Sequence, residues 1–367
     1  MRTGVRRVEV ELPPGPSLTH LGYALTGLVA LARAGRLELS VGSAVPDAHP
    51  LVLRCRIDDG RGEDRLLALD MLDHGSEWDV AALDRADLYL KRSFHRPDVD
   101  RLGPARASRV EPFGMSFLCR SAASTAWLLR HALLPELGAL VRGRWLPGRL
   151  GEYRDLLASP TVEGFEVPPE VKAPSRVAFQ TRVWTAEELG PESDALNEER
   201  VATVRALRHA FGTRFEGGLV PTPLARARWP EEISRAPTRR AEHLRWMHGA
   251  LVAVYTRGLH HSTAFKLPEY LAASRCVVAE PVRNALPRPL VPGRDLVEFH
   301  TPEECVAHCD EVLGSRELQD RLRRGAWEYW RSEGRPDVRM ERCLDRLGAG
   351  ARGLPSRDPG LRRRAPP

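Results

Sequence analysis

Strand–helix alternation runs twice along this chain, and a stretch rich in Pro, Gly and charge separates the two runs; no other feature limits the fold as strongly. Residues 5–12 alternate apolar and polar side chains as a half-buried strand does, residues 13–17 break the pattern, residues 18–33 carry helical spacing, and residues 37–43 resume as a strand. That is a βαβ opening. Strand-like runs follow at 51–57, 66–72 and 87–92, with helical spacing at 78–85 and 121–141. From Trp145 to Ser175, with Pro168, Pro169 and Pro174, no long periodic segment survives. Alternation restarts with a strand at 176–183. Helices at 194–211, 239–248 and 264–273 and strands at 215–220, 251–256 and 276–280 follow, then amphipathic helices at 303–313 and 317–330. The expectation is α/β architecture: Rossmann-like domains over 1–150 and 176–347, a linker over 151–175, a cleft between the domains, and a disordered basic tail over 348–367.

Composition narrows the function classes. With 367 residues, 42% hydrophobic and 28% charged, the chain can bury a large core and is too apolar to be disordered. The net charge of +6 is concentrated at the end, where Arg352, Arg357, Arg362, Arg363 and Arg364 face only Asp358. The rest is nearly balanced, which argues against a nucleic-acid partner. Only Lys91, Lys172 and Lys266 are lysines among 55 basic residues, a bias that reflects genome composition. The six cysteines form no CxxC pair, so reduced thiols in a cytoplasmic protein are expected. The longest apolar stretch, residues 21–32, is too short to span a bilayer, and a soluble protein without a transmembrane segment is expected.

The segment 258–280 is the densest in chemistry. A strand ending near Thr256 feeds a polar turn holding Gly258, His260, His261, Ser262 and Thr263, and a helix then starts. Backbone N–H groups and hydroxyls at such a start stabilise a phosphate. Lys266 and Glu269 share a helical face, so an ammonium and a carboxylate can reach one ligand: a nucleotide diphosphate, with Glu269 accepting from ribose hydroxyls. A capped helix with a surface ion pair fits the same residues.

This region resembles the carboxyl-terminal domain of GT-B glycosyltransferases of the group 1 or family 4 type, with their spore-maturation-like relatives. The resemblance rests on the helix-then-strand Lys266-Leu-Pro-Glu-Tyr-Leu-Ala-Ala-Ser-Arg-Cys-Val-Val-Ala-Glu280. It continues through Pro292-Gly-Arg-Asp-Leu-Val-Glu-Phe299, Thr301-Pro-Glu-Glu-Cys305 and residues 313–324. It implies a GT-B fold with two Rossmann-like domains facing across a cleft, and transfer of a sugar from a nucleotide-sugar without cofactor or metal. The acceptor, whether saccharide, natural product or polypeptide, is left open. A nucleotide-sugar epimerase of the same fold and a non-catalytic nucleotide-binding scaffold are the alternatives. Family members often carry Glu-X7-Glu; with Glu269 as the second member, the first position here is His261. The resemblance also places a phosphate contact at Arg182, where a permanently charged guanidinium suits a diphosphate, although a solvated Arg fits equally. The expected donor site is therefore Arg182, His261, Ser262, Thr263, Lys266 and Glu269.

In the first half, Lys91 and Arg92 end an apolar strand, where ligands of open α/β sheets gather, and are candidates for acceptor or phosphate binding. Asp70, Asp73 and His74 follow another strand and are the candidates for a general base, with turn chemistry as the competing reading. Arg200 and Arg205 read as structural. Asp98-Val-Asp100 resembles a metal-binding DxD but lies in a Pro-bounded polar stretch, and Cys305 and Cys309 with His308 lack the second ligand pair zinc requires.

Overall fold

The computed structural model describes residues 5–60, 64–141 and 149–350. Two sheets organise it. The first runs β2 (Leu37–Val41), β1 (Arg6–Glu11), β3 (Val52–Asp58), β4 (Arg65–Asp70), β5 (Leu88–Lys91), β6 (Val110–Pro112). The second runs β11 (Val297–Glu298), β10 (Cys276–Ala279), β9 (Val252–Tyr255), β7 (Val177–Thr181), β8 (Phe215–Leu219). All neighbours in the second sheet are parallel. Its central strands β7, β9 and β10 are buried along their length, as parallel strands covered on both faces must be.

The first sheet departs from a simple Rossmann layer. β1 and β2 are parallel, but β3 runs antiparallel to both β1 and β4 before β4, β5 and β6 return to parallel order. Alternation alone does not distinguish strand direction, which is why the reversal was not visible in the sequence.

The stretch expected to be a linker holds two helices, α2 (Arg149–Ala158) and a short one at Val162–Phe165. Tyr153, Leu156, Val162 and Phe165 are buried in the same apolar cluster as α1 (Leu18–Arg33), so this segment packs as part of the first domain. The chain also returns to that domain at its end. After α5 (Pro302–Gly314) and α6 (Arg316–Tyr329), α7 (Pro336–Gly350) lies against α1, with Met340, Cys343, Leu344 and Leu347 buried there. Gly27 permits this crossing, because a Cβ at that position would sit 2.2 Å from the Pro336 carbonyl oxygen. The tail expected to be disordered therefore begins inside a helix at 348–350, and its remaining residues, 351–367, lie outside those described. One apolar cluster spans both halves, while a second, around Val177, Val204, Val252 and Val312, fills the other face of the second sheet under α3 (Ser193–Phe211) and α5.

Candidate functional site

Between the sheets, beyond the carboxyl ends of β7, β8 and β9, lies a cavity of about 360 Å³. Parallel strands all deliver their following loops to the same edge, and ligands of α/β sheets bind there. The second domain supplies Gln180, Thr181, Arg182, Trp184, Arg200, Arg240, Tyr255, Arg257, Ser262, Phe265 and Lys266 to the wall, and the first supplies His20, Asp73 and Arg92. Among the described residues, six cationic side chains and one carboxylate, that of Asp73, thus line it.

Each cation is held in place. Lys266, at the start of α4 (Lys266–Ala272), donates from Nζ to the Gln180 carbonyl oxygen. Burial lowers its pKa from the ordinary lysine value to about 8, with Arg200 and Arg240 acting in the same direction against Glu269. Arg200 is 4% exposed and donates to the carbonyl oxygens of Arg182 and Arg257, tying together the ends of β7 and β9. Burial brings its pKa to about 10, and among the described residues its Nε has no hydrogen-bond partner. Arg182 pairs with Glu188 at 2.6 Å and lies over the Trp184 ring at 4.1 Å. Arg257 pairs with Glu199 and Glu280.

The turn between β9 and α4 forms the floor. Gly258 N–H donates to the Ser262 carbonyl at 2.8 Å and Ser262 N–H to the Leu259 carbonyl at 2.8 Å, while the Ala264 N–H donates to the Tyr255 hydroxyl at 3.0 Å. A Cβ at Gly258 would sit 2.7 Å from Ser262 Oγ and 3.0 Å from its carbonyl oxygen, so a larger residue there would push the Ser262 hydroxyl aside and crowd its carbonyl. His260 and His261 both take left-handed backbone conformations, with φ of 51° and 59°. The first domain locks onto the turn through Arg92, which is 4% exposed, donates to the Thr263 carbonyl at 3.3 Å and to Asp73 at 2.8 Å, and lies over the Phe265 ring at 5.0 Å. Beside it, the His74 ring stacks on that of His260 at 3.4 Å between centroids.

Of the residues expected from sequence, Asp73, Arg92, Arg182, Ser262 and Lys266 line the cavity. The others do not. Asp70 is completely buried, with Lys91 Nζ at 2.9 Å and the Tyr89 hydroxyl donating at 2.5 Å. Burial raises the Asp70 pKa against the pull of Lys91 and lowers that of Lys91 against the pull of Asp70. The pair belongs to the first sheet's interior, so Asp70 cannot meet an acceptor as a base and Lys91 cannot meet a phosphate. Glu269 is 1% exposed, and its carboxylate accepts from Arg240 at 2.5 Å; it is Arg240 that forms the wall, and the expected ribose contact is not presented. His261 points towards Arg283 and Glu192, and burial, followed by Arg283, lowers its pKa. Thr263 contributes its carbonyl to Arg92.

Sequence reasoning missed His20, Trp184, Arg240 and Arg257, and read Arg200 as a surface or structural residue. His20 was findable, since it lies in the first turn of α1, the helix that follows β1. Arg240 carried no such signal. Asp98 lies in a helix at Arg96–Asp100 and is bound by Arg101 at 2.6 Å. Cys305 and Cys309 are buried in α5. Among the described residues no group of three or more His, Cys, Asp or Glu side chains is assembled for a metal, and no helix is long and apolar enough to cross a membrane.

Residues 200–345 match a protein family described as glycosyl transferase-like. No curated protein gives a sequence match. Among solved structures, a glycosyltransferase from Rickettsia africae is 11% identical, with 94% of this chain and 98% of that chain covered at a TM-score of 0.41. The C-terminal domain of a glycosyl transferase group 1 family protein (LpcC) from Francisella tularensis is also 11% identical, covering 47% and 97% at 0.33. A UDP-GlcNAc 2-epimerase from Neisseria meningitidis, bound to UDP-GlcNAc, is 8% identical, covering 76% and 69% at 0.39. Likenesses at these scores say nothing of ligand or reaction.

Proposed function

We propose that the chain is a GT-B-type glycosyltransferase that moves a sugar from a nucleotide-sugar to an acceptor in the cavity between its two sheets, a reading that the glycosyl transferase-like match over residues 200–345 supports. One observation carries this reading: among the described residues six cationic side chains line a cavity at the carboxyl edge of a parallel sheet, and while Asp73, Glu188, Glu269 and the pair Glu199 and Glu280 hold four of them, Lys266 and Arg200 have no carboxylate in ion-pair contact. Such a wall favours an anion with more than one charge, and a diphosphate supplies it. Lys266 and Arg200 meet the diphosphate, with the more exposed Arg182 at the mouth. Charge that builds on the leaving diphosphate during transfer is stabilised by these fixed cations, so the step needs no metal or cofactor. Trp184 and Tyr255 offer flat apolar surface to the rest of the donor.

The six free, buried cysteines fit a reducing compartment, and we place the protein in the cytoplasm. The acceptor enters past the first domain, whose His20 and Asp73 face the same space.

The test is a thermal-shift screen with UDP, GDP, dTDP, ADP and CDP, followed by the matching nucleotide-sugars. A ligand at a hundred times its Kd stabilises the fold by about 2.7 kcal/mol. Stabilisation by at least one nucleotide, lost when Lys266 and Arg200 are replaced together in a folded variant, is expected. No stabilisation by any of the five would refute the reading.

A further inference from the structure

A second cavity, of about 600 Å³, lies beside β8, the edge strand of the second sheet. The side chains of that strand account for it. Phe215 and Leu219 belong to the apolar cluster under α3, so the alternate positions Glu216 and Gly218 face the other side, where the helix Arg240–His248 buries Leu244 and Met247. A glutamate and a glycine put no large apolar side chain between strand and helix. Residues 232–234 close one end against Gly218, where a Cβ would sit 2.3 Å from the Glu232 carbonyl oxygen. Ala236 and Pro237 line this cavity, while Gln180, which lines the one described above, donates to the Ser234 hydroxyl and the Ala236 carbonyl at 3.2 Å each. That strip of chain separates the two spaces.

The lining differs in kind from that of the first cavity. Arg208 and Arg235 stand with Glu216 and Glu231, so the charges balance. Among the described residues the Arg235 guanidinium, the Glu231 carboxylate and the Trp246 indole N–H make no hydrogen bond or ion pair. The Trp246 ring is set against that of His243, 5.1 Å between centroids. Groups that only donate, the guanidinium and the indole, thus stand beside carboxylates that only accept. An anion is repelled by the two carboxylates and a cation by the two guanidinium groups, whereas a hydroxyl donates and accepts and suits both. Trp246 and Pro237 add flat apolar surface. Hydroxyls around the edge and C–H groups on the faces describe a sugar ring.

We propose that this cavity is a binding site for a neutral saccharide, separate from the site of transfer. Trp246 carries the C–H face of a ring, and Arg235 and Glu231 take its hydroxyls. The volume falls within the range of about 300–1,000 Å³ usual for ligand cavities. A peptide added as a strand to the β8 edge fits less well, because residues 232–234 already cover Gly218 and Ile233 bridges to Leu219, which leaves three residues of edge. Binding here does not depend on the transfer reading.

Saturation-transfer NMR with maltohexaose, cellohexaose, chitohexaose and mannohexaose, each without nucleotide, tests it. At least one hexaose should receive saturation from the wild type. Its Kd should rise roughly tenfold or more in Trp246→Ala and in Arg235→Ala, each checked for an unchanged thermal midpoint. Arg235 is exposed, so its removal leaves the fold intact. Lys266→Met, which alters the other cavity, should leave the Kd unchanged, and hexagalacturonate should bind more weakly than the neutral hexaose. Silence from all four hexaoses, a Kd indifferent to Trp246→Ala or to Arg235→Ala, a Kd that rises in Lys266→Met, or tighter binding of hexagalacturonate would each overturn the proposal. No nucleotide enters these measurements, so a failure here is distinct from a failure of the donor site.

Discussion

Replacing Lys266 by Met should make the free protein more stable and its nucleotide complex weaker. The Lys266 ammonium is partly exposed to the cavity yet enclosed enough that burial brings its pKa from 10.5 to about 8. Between those values the unfolded chain binds a proton that the folded chain does not, so stability rises with pH through that window, and at pH 7 the folded state carries the full penalty of an enclosed charge. At about 1.4 kcal/mol per unit the penalty is at most about 3 kcal/mol, and water in the cavity lowers it. The hydrogen bond to the Gln180 carbonyl contributes about 1 kcal/mol in the other direction. Met should thus gain roughly 1–2 kcal/mol at pH 7, and the gain should vanish near pH 10.5. Binding should move the opposite way. A charge-assisted contact to phosphate contributes about 1.5–3 kcal/mol, which is roughly a 10- to 150-fold weaker Kd once it is lost. Urea unfolding at pH 7 and 10, together with titration calorimetry against UDP, GDP, dTDP, ADP and CDP, measures both. A variant that loses stability at pH 7 and binds every nucleotide as the wild type does would refute the reasoning.

The remaining predictions concern the interior and the metal. Asp70→Asn leaves the Lys91 ammonium buried without its charge partner and should cost about 3–5 kcal/mol in urea unfolding, with nucleotide affinity retained in the folded fraction; an unchanged midpoint would show that the pair does not hold the sheet. His243 and His248 are brought by burial to pKa values of about 3 and about 4. Both lie below the unfolded value, so the unfolded chain takes protons first and stability should fall as pH drops below 6.5, by about 1.4 kcal/mol per pH unit for each ring. His243→Gln should make that slope shallower in unfolding curves at pH 6.5, 5.5 and 4.5, and an unaltered slope counts against it. Nucleotide binding and transfer should persist in EDTA; activity that stops and returns with Mn²⁺ or Mg²⁺ would mean that the cations of the cavity do not suffice.

Local periodicity made most of the architecture legible. The strand-helix units around Val177–Thr181, Ser193–Phe211, Val252–Tyr255 and Cys276–Ala279 were visible because the strands are short apolar runs, as strands covered on both faces are, and the helix repeats its apolar face every three to four residues. Within the site, the polar turn before Lys266 could be read because it depends on residues adjacent in the chain, whereas Arg182 was placed by the family resemblance. Asp70 and Lys91 could not be read in the same way. Each looked like a polar strand end facing solvent, but β4 and β5 pair in a register that sets Asp70 beside Lys91, and two opposite charges side by side can be buried together. Glu269 met the same fate through Arg240, whose position in the sequence gives no hint of the contact. The crossing of α7 onto α1 likewise joins segments far apart in the chain. A sequence determines which face of each element is apolar and which residues carry charge. Which neighbour covers that face, and which charge finds a partner before any ligand arrives, is decided only when the elements pack, because burial and pairing energies act between surfaces that the chain brings together from a distance.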